Sequence, residues 1–257
     1  MQADKHNLKR VSFASDAVRV VSFRQGDHIC LFYRDLEEQV STVGPFVKVG
    51  LLRNERCLCL LPQSHAEHLL AWLEASGINC AHEVSRGALV VCDPASTYLR
   101  GGEFNREKMV EFVDHEVREA LAMGFRGFRA AGDLSWAAQV AGASSQLPEY
   151  ERAMDRYFPG RPALGLCMYP IELFSPSLLE RIMDCHRLSL SNHHPQKRSI
   201  RIRHGRTFAD VFFDRESPSL FHYTIRKEDS SGILSMGQEH TLTSALDAAE
   251  SALRSSR

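Results

Sequence analysis

Short apolar runs recur along the first three-quarters of the chain, each bounded by charged or turn-forming residues. HICLFY at 28–33, CLCLL at 57–61, ALVVCD at 88–93 and ALGLCMY at 163–169 are too short for helices and apolar at nearly every position, which predicts strands buried on both faces. A fifth strand is predicted around Phe128 to Ala131, inside GFRGFRAAGDLSW. Between the strands, apolar residues return at helical spacing. The clearest stripe lies in 103–123, formed by Phe104, Met109, Phe112, Val113, Val117, Ala120 and Leu121. Further helices are predicted over roughly 36–53, where Asp35 caps and Glu38 stands three places on, and over 64–76, stopped by Gly77. Two more are predicted near 146–158 and from Ser175 to about 186. Strands alternating with helices of this length predict an α/β protein with three layers, a mostly parallel sheet covered on both sides.

After His186 the pattern changes. SNHHPQKRS is polar, basic and interrupted by proline, which predicts a linker over 191–199. Beyond it RTFADVFF, LFHYTIRKE and ILSMG read as strands, and Thr241 or Thr243 caps a final helix, so 200–257 is expected to form a small β-β-β-α extension. Residues 1–20 read as a mixed tail, leaving 21–190 as the main domain.

Composition narrows the function classes. A net charge of −1 gives no overall attraction to nucleic acid or to an anionic membrane surface. No apolar run is long enough to span a bilayer, and the amino terminus lacks the apolar core of a secretory signal. Seven cysteines at irregular spacing, mostly inside apolar strands, read as reduced thiols rather than a disulfide framework. The expected location is therefore the cytoplasm.

Several nucleotide and hydrolase motifs are missing. There is no GxxxxGK[ST], so the lysine and hydroxyl that a P-loop places on phosphate and magnesium have no counterpart. GxGxxG, GxSxG and HExxH are absent too. The strings that stand out are GDHICLFY at 26–33, TYLRGGEF at 97–104, GFRGFRAAGDLSW at 124–136 and LGLCMY at 164–169. In that order and spacing they resemble the MEDS family, the methanogen/methylotroph DcmR-type sensory domain, over about residues 20–190. The resemblance implies a RecA/KaiC-like fold without a P-loop and a role in sensing small organic compounds such as hydrocarbon derivatives. It also implies a protein partner in a signalling pathway.

The candidate ligand-binding residues gather at predicted strand ends. His28 and Cys30 flank Ile29, so their side chains share one face of a strand. They could contact a ligand, hold a metal with one or two further donors, or simply close the strand end. Cys167, Cys185, His186, His193 and His194 are further donors, at spacings that match no standard metal motif. Tyr98, Arg100 and Glu103 come from the glycine-containing TYLRGGEF loop, where Arg100 offers a fork to an anion and Glu103 could cap the following helix or pair with Arg100. Asp133 stands where its strand exits, at the edge where open α/β sheets bind ligands, and could instead cap the next helix. Tyr33, Trp136 and Tyr169 could wall one apolar pocket. The basic residues Lys197, Arg198, Arg201, Arg203 and Arg206 read as a solvated face, with binding of nucleic acid or an acidic partner as the alternative.

The leading expectation is a non-catalytic sensory protein that binds a small organic molecule and regulates a partner, with no catalytic residue, metal or cofactor assigned. Two alternatives remain open. One is an enzyme using histidine, cysteine and carboxylate chemistry in the same pocket. The other is a ligand-free interaction module, which could be a homo-oligomer joined through its carboxyl-terminal strands.

Overall fold

The apolar run that begins at His28 forms the strand β1 (His28–Tyr33), buried at all its positions. A central strand is sheltered on both faces, so it needs no polar alternation. The computed structural model describes residues 23–99, 103–191, 197–214, 220–228 and 232–255. Strands β2 (Arg56–Leu60), β3 (Leu89–Cys92), β4 (Phe128–Asp133), β5 (Ala163–Pro170) and β6 (Leu188–Ser191) come after it in the chain. They lie beside β1 in the order β6-β1-β5-β4-β2-β3, all parallel.

Local chemistry sets the helices between them. Asp35 accepts from the Glu38 backbone N–H at 2.8 Å and starts α1 (Leu36–Leu52). Glu38 reaches back to the Arg34 N–H, one residue further than a reciprocal box would require. Next come α2 (Gln63–Ala75), α3 (Cys80–Ser85), α4 (Pro94–Tyr98), α5 (Arg106–Ala122), α6 (Ala143–Tyr157) and α7 (Pro176–Met183). Gly77 ends the α2 segment with a φ of +91, a conformation open to glycine. Asn105, not Glu103, caps α5 by accepting from the Lys108 N–H.

Strand parity assigns the two faces. His28, Cys30 and Phe32 stand in register with Gly165, Cys167 and Tyr169, and these point to the face covered by α5 and α6. Ile29, Leu31 and Tyr33 point to the other face, where α1 packs against β1, β2 and β4 and α2 packs against α1.

The carboxyl-terminal strands continue this sheet instead of forming a separate one. β7 (Lys197–His204) pairs antiparallel with β6, and β8 (Thr207–Asp214), β9 (Phe221–Lys227) and β10 (Ile233–Glu239) extend it to ten strands. The linker expected over 191–199 is therefore shorter, because β6 runs through Ser191 and β7 starts at Lys197; the extension has four strands, not three. Ile200 and Ile202 are buried and alternate with Ser199, Arg201 and Arg203, a strand pattern masked by its charge. The last helix, α8 (Leu242–Ser255), lays Leu242, Ala245, Ala249 and Leu253 against β7 to β10. Residues 1–22, which include the expected tail, lie outside the described residues.

Candidate functional site

At the carboxyl edge on the α1 face, Asp133 is fully buried and its oxygens are taken. Oδ2 accepts from the Tyr33 hydroxyl and from Gln39 Nε2, each at 2.6 Å, while Oδ1 accepts from the Ser135 N–H at 2.9 Å. Gln39 Oε1 lies 2.7 Å from His65 Nδ1, which extends the chain of contacts to α2. Burial, with the Asp133 charge beside it, pushes the Tyr33 phenol far above its ordinary range, so it stays a donor. Asp133 thus ties β1, α1 and the turn after β4 together.

Tyr169 is not part of that cluster. It lies opposite Phe32 in register, and one step along a strand reverses the side-chain direction, so Tyr33 and Tyr169 face opposite sides of the sheet. Trp136 joins a third group. It stacks on Tyr98 with ring centroids 5.0 Å apart and packs on Phe104 at 5.1 Å, and Tyr150 meets Tyr98 edge-on at 6.2 Å. Gly132 admits this ring cluster to the sheet: a Cβ there would stand 2.3 Å from the Tyr98 hydroxyl oxygen. Trp136 Nε1 is buried and has no hydrogen-bond partner among the described residues.

Two spaces meet at Tyr98. An open pocket of about 400 Å³ lies between α4 and α5, lined by Thr97, Tyr98, Glu103, Lys108, Met109 and Phe112 among others. A deep cavity of about 20 Å³ lies against the sheet and shares Tyr98, Met109 and Phe112 with it. The cavity also touches Gly132, Gly165 and Cys167. Glu103 is exposed at the pocket rim, and Arg100 lies outside the described residues.

Beyond the cavity, His28, Glu151, Cys167 and His186 converge, all buried, with one donor atom from each lying within 4.8 Å of the others. Glu151 Oε2 is 3.2 Å from His28 Nε2 and 3.1 Å from His186 Nε2, and His28 Nε2 is 3.4 Å from Cys167 Sγ. Tyr169 donates its hydroxyl to Glu151 Oε1. Burial opposes the charge on Glu151, but the His186 and His28 imidazoles outweigh it and hold the carboxyl well below the usual range. Burial opposes charge on His28 as well, yet Asp155 and Glu151 raise its pKa. Cys30 is fully buried next to this group, and burial pushes its thiol well above the ordinary value.

Of these residues, Gln39, Tyr150 and Glu151 are not found by the sequence reading. Glu151 had a signal: it sits among Leu147, Tyr150 and Met154, inside the buried stripe of α6, where an unpaired carboxylate does not belong. Two residues of the basic stretch, Arg201 and Arg203, are paired internally. Arg201 grips both oxygens of Asp210, at 2.7 and 3.0 Å, and Arg203 meets Asp184 and Glu228. All seven cysteines are free, and no described helix is long and apolar enough to cross a membrane.

No curated protein matches the chain. Among solved structures, a KaiC-like protein from the hyperthermophilic archaeon Pyrococcus horikoshii is similar, at 14% identity and a TM-score of 0.44, covering 79% of this chain and 91% of that one. The model of the MEDS family, described as the methanogen/methylotroph, DcmR sensory domain, matches residues 27–187. That match begins one residue before His28 and ends one residue after His186, so it encloses every group of the buried cluster, and the chain belongs to the MEDS sensory-domain family.

Proposed function

We propose that the chain is a non-catalytic sensory protein that takes up a small organic molecule at the Tyr98 pocket and changes how a partner protein is bound. The observation that carries this is the open pocket beside Tyr98, which shares Tyr98, Met109 and Phe112 as walls with the small space against the sheet. Tyr98, Met109 and Phe112 give the pocket an apolar and aromatic wall, while Ser96, Asn105, Glu111 and His115, with Glu103 and Lys108, supply its polar contacts. About 20 Å³ is room for one water-sized group, so only a very small ligand, or the tip of a larger one, fits without moving Tyr98. A ligand that moves Tyr98 disturbs its stack with Trp136, and that preference for one arrangement is what a signal needs. Thiol catalysis is less favoured: burial pushes the Cys30 and Cys167 thiols far up, opposite to what a nucleophile requires.

The chain has two tryptophans, so Trp72→Phe leaves Trp136 as a single reporter. Titrating that variant with short-chain alcohols and halogenated hydrocarbons is expected to give a saturable change in Trp136 emission. Adding Gly132→Ala, which forces Tyr98 off the sheet, is expected to weaken the apparent affinity at least about tenfold, a loss of about 1.4 kcal/mol. A linear, unsaturable response in both proteins sinks the pocket reading.

A second reading, a protein-interaction module, is favoured by the sheet edge. β10 is the last strand and exposes Ile233, Leu234 and Met236, an arrangement open to pairing with another strand. If copies of the chain associate there, Met236→Lys is expected to shift sedimentation toward the monomer. An unchanged distribution removes β10 as the contact.

A further inference from the structure

We infer that His28, Glu151, Cys167 and His186 form a closed binding site for one divalent zinc ion, held by His28 Nε2, His186 Nε2, Glu151 Oε2 and Cys167 Sγ. Two imidazoles, a carboxylate and a thiol are the donor types zinc takes in fourfold sites. Zinc bonds of about 2.0–2.3 Å at tetrahedral angles put neighbouring donors about 3.3–3.6 Å apart. The three measured edges of this cage are 3.1, 3.2 and 3.4 Å, and no pair among the four exceeds 4.8 Å.

A purely internal ion-pair network accounts less well for the geometry. Glu151 Oε2 and His186 Nε2 are 3.1 Å apart, yet neither has a hydrogen-bond partner among the described residues. The contact is close but is not aligned as a hydrogen bond. Fully buried polar atoms are seldom left so. A cation at the centre of the four donors satisfies both at once and neutralises the carboxylate.

The surroundings fix two of the donors, on His186 and Glu151, in place. The His186 Nδ1–H donates to the Ile182 carbonyl at 2.8 Å, which keeps Nε2 as the lone-pair nitrogen. On His28 the remote nitrogen Nδ1 lies 3.6 Å from Asp155 Oδ1. Tyr169 fixes the Glu151 carboxylate through its other oxygen. The four ligands come from β1, α6, β5 and the turn between α7 and β6, so the ion would clamp three later segments of the chain onto β1. All four positions are filled by protein, which assigns a structural role; on binding, the Cys167 thiol gives up its proton to solvent.

The test uses the full chain purified without chelator. Elemental analysis is expected to find one zinc per chain, and stripping it to lower the unfolding temperature reversibly. Cobalt(II) added to the stripped protein is expected to produce a thiolate-to-cobalt charge-transfer band with the intense ligand-field bands of a tetrahedral site. Cys167→Ser abolishes the charge-transfer band, while Cys92→Ser, at the far side of the sheet, retains it. Should Cys167→Ser fail to fold, Tyr169→Phe keeps the test decisive: it retains all four ligands and is expected to weaken zinc about 10–100-fold in a chelator competition. Absence of metal together with absence of the cobalt charge-transfer band overturns the site, as does a cobalt spectrum unchanged in Cys167→Ser. The cobalt spectrum reports nothing about the Tyr98 pocket, so the site stands or falls apart from the small-molecule reading.

Discussion

Replacing Glu55 with alanine is expected to lower the free energy of unfolding by about 3–5 kcal/mol, among the largest losses any single change in this chain would produce. Glu55 precedes β2 and is almost fully buried, and its Oε2 accepts from Arg129 Nε near the start of β4. Arg129 is 1% exposed, the largest fully buried side chain, and lies on the face covered by α1. Its NH1 donates to the Phe46 carbonyl at 3.0 Å, and its guanidinium carbon sits 4.9 Å above the Phe46 ring. Without Glu55 the cation stays in an apolar layer with one carbonyl and one ring for company, and the desolvation penalty of a buried charge is no longer offset. The loss comes from stranding a charge, not from the net worth of the pair. Removing both charges in Glu55→Leu with Arg129→Met is therefore expected to restore most of the stability. Urea denaturation of the parent chain, Glu55→Ala and the double variant checks both statements. A single-variant loss under about 1 kcal/mol would mean that water reaches Arg129.

How far this architecture can be read from sequence depends on what buries each segment. The central strands are legible because β1 and β5 are covered on both sides and cannot afford polar positions. β6 and β7 escape notice for the opposite reason. In LSLS and KRSIRIRH the apolar residues Leu188, Leu190, Ile200 and Ile202 are buried at alternate places, with serine and arginine between them. The edge cluster is half legible: Asp133 and Tyr33 end their strands as expected, but Gln39, one turn into α1, looks like a solvent-facing polar residue and is fully buried. The four-donor cluster carries no spacing motif, because a parallel sheet brings together groups from four elements spread between His28 and His186. Parity decides the rest. Tyr33, Trp136 and Tyr169 are all aromatic and all near strand ends, yet β1 register places Tyr33 on the face away from Tyr169.

Asp133→Ala is expected to destabilise the chain by about 3–5 kcal/mol, and the size of that loss separates two roles for the residue. The carboxylate receives three hydrogen bonds, from Tyr33, Gln39 and the Ser135 backbone, all in a site closed to solvent. Hydrogen bonds to a charged acceptor contribute about 1.5–3 kcal/mol each, and alanine leaves all three donors unmet. Tyr33→Phe removes one donor and leaves two, so it is expected to lose only about 1–2 kcal/mol. Asp133→Asn falls between, because its amide can serve one side of the site as acceptor but presents N–H to a donor on the other. A residue held ready for an incoming ligand behaves differently: its polar atoms are unmet before binding, and truncating it leaves stability level or raises it. The ordering Ala, then Asn, then Phe at Tyr33, measured by urea denaturation without ligand, is thus the signature of a fastening residue at the sheet edge. A stable Asp133→Ala protein would reverse the assignment and move the ligand contact from Tyr98 to the α1 face.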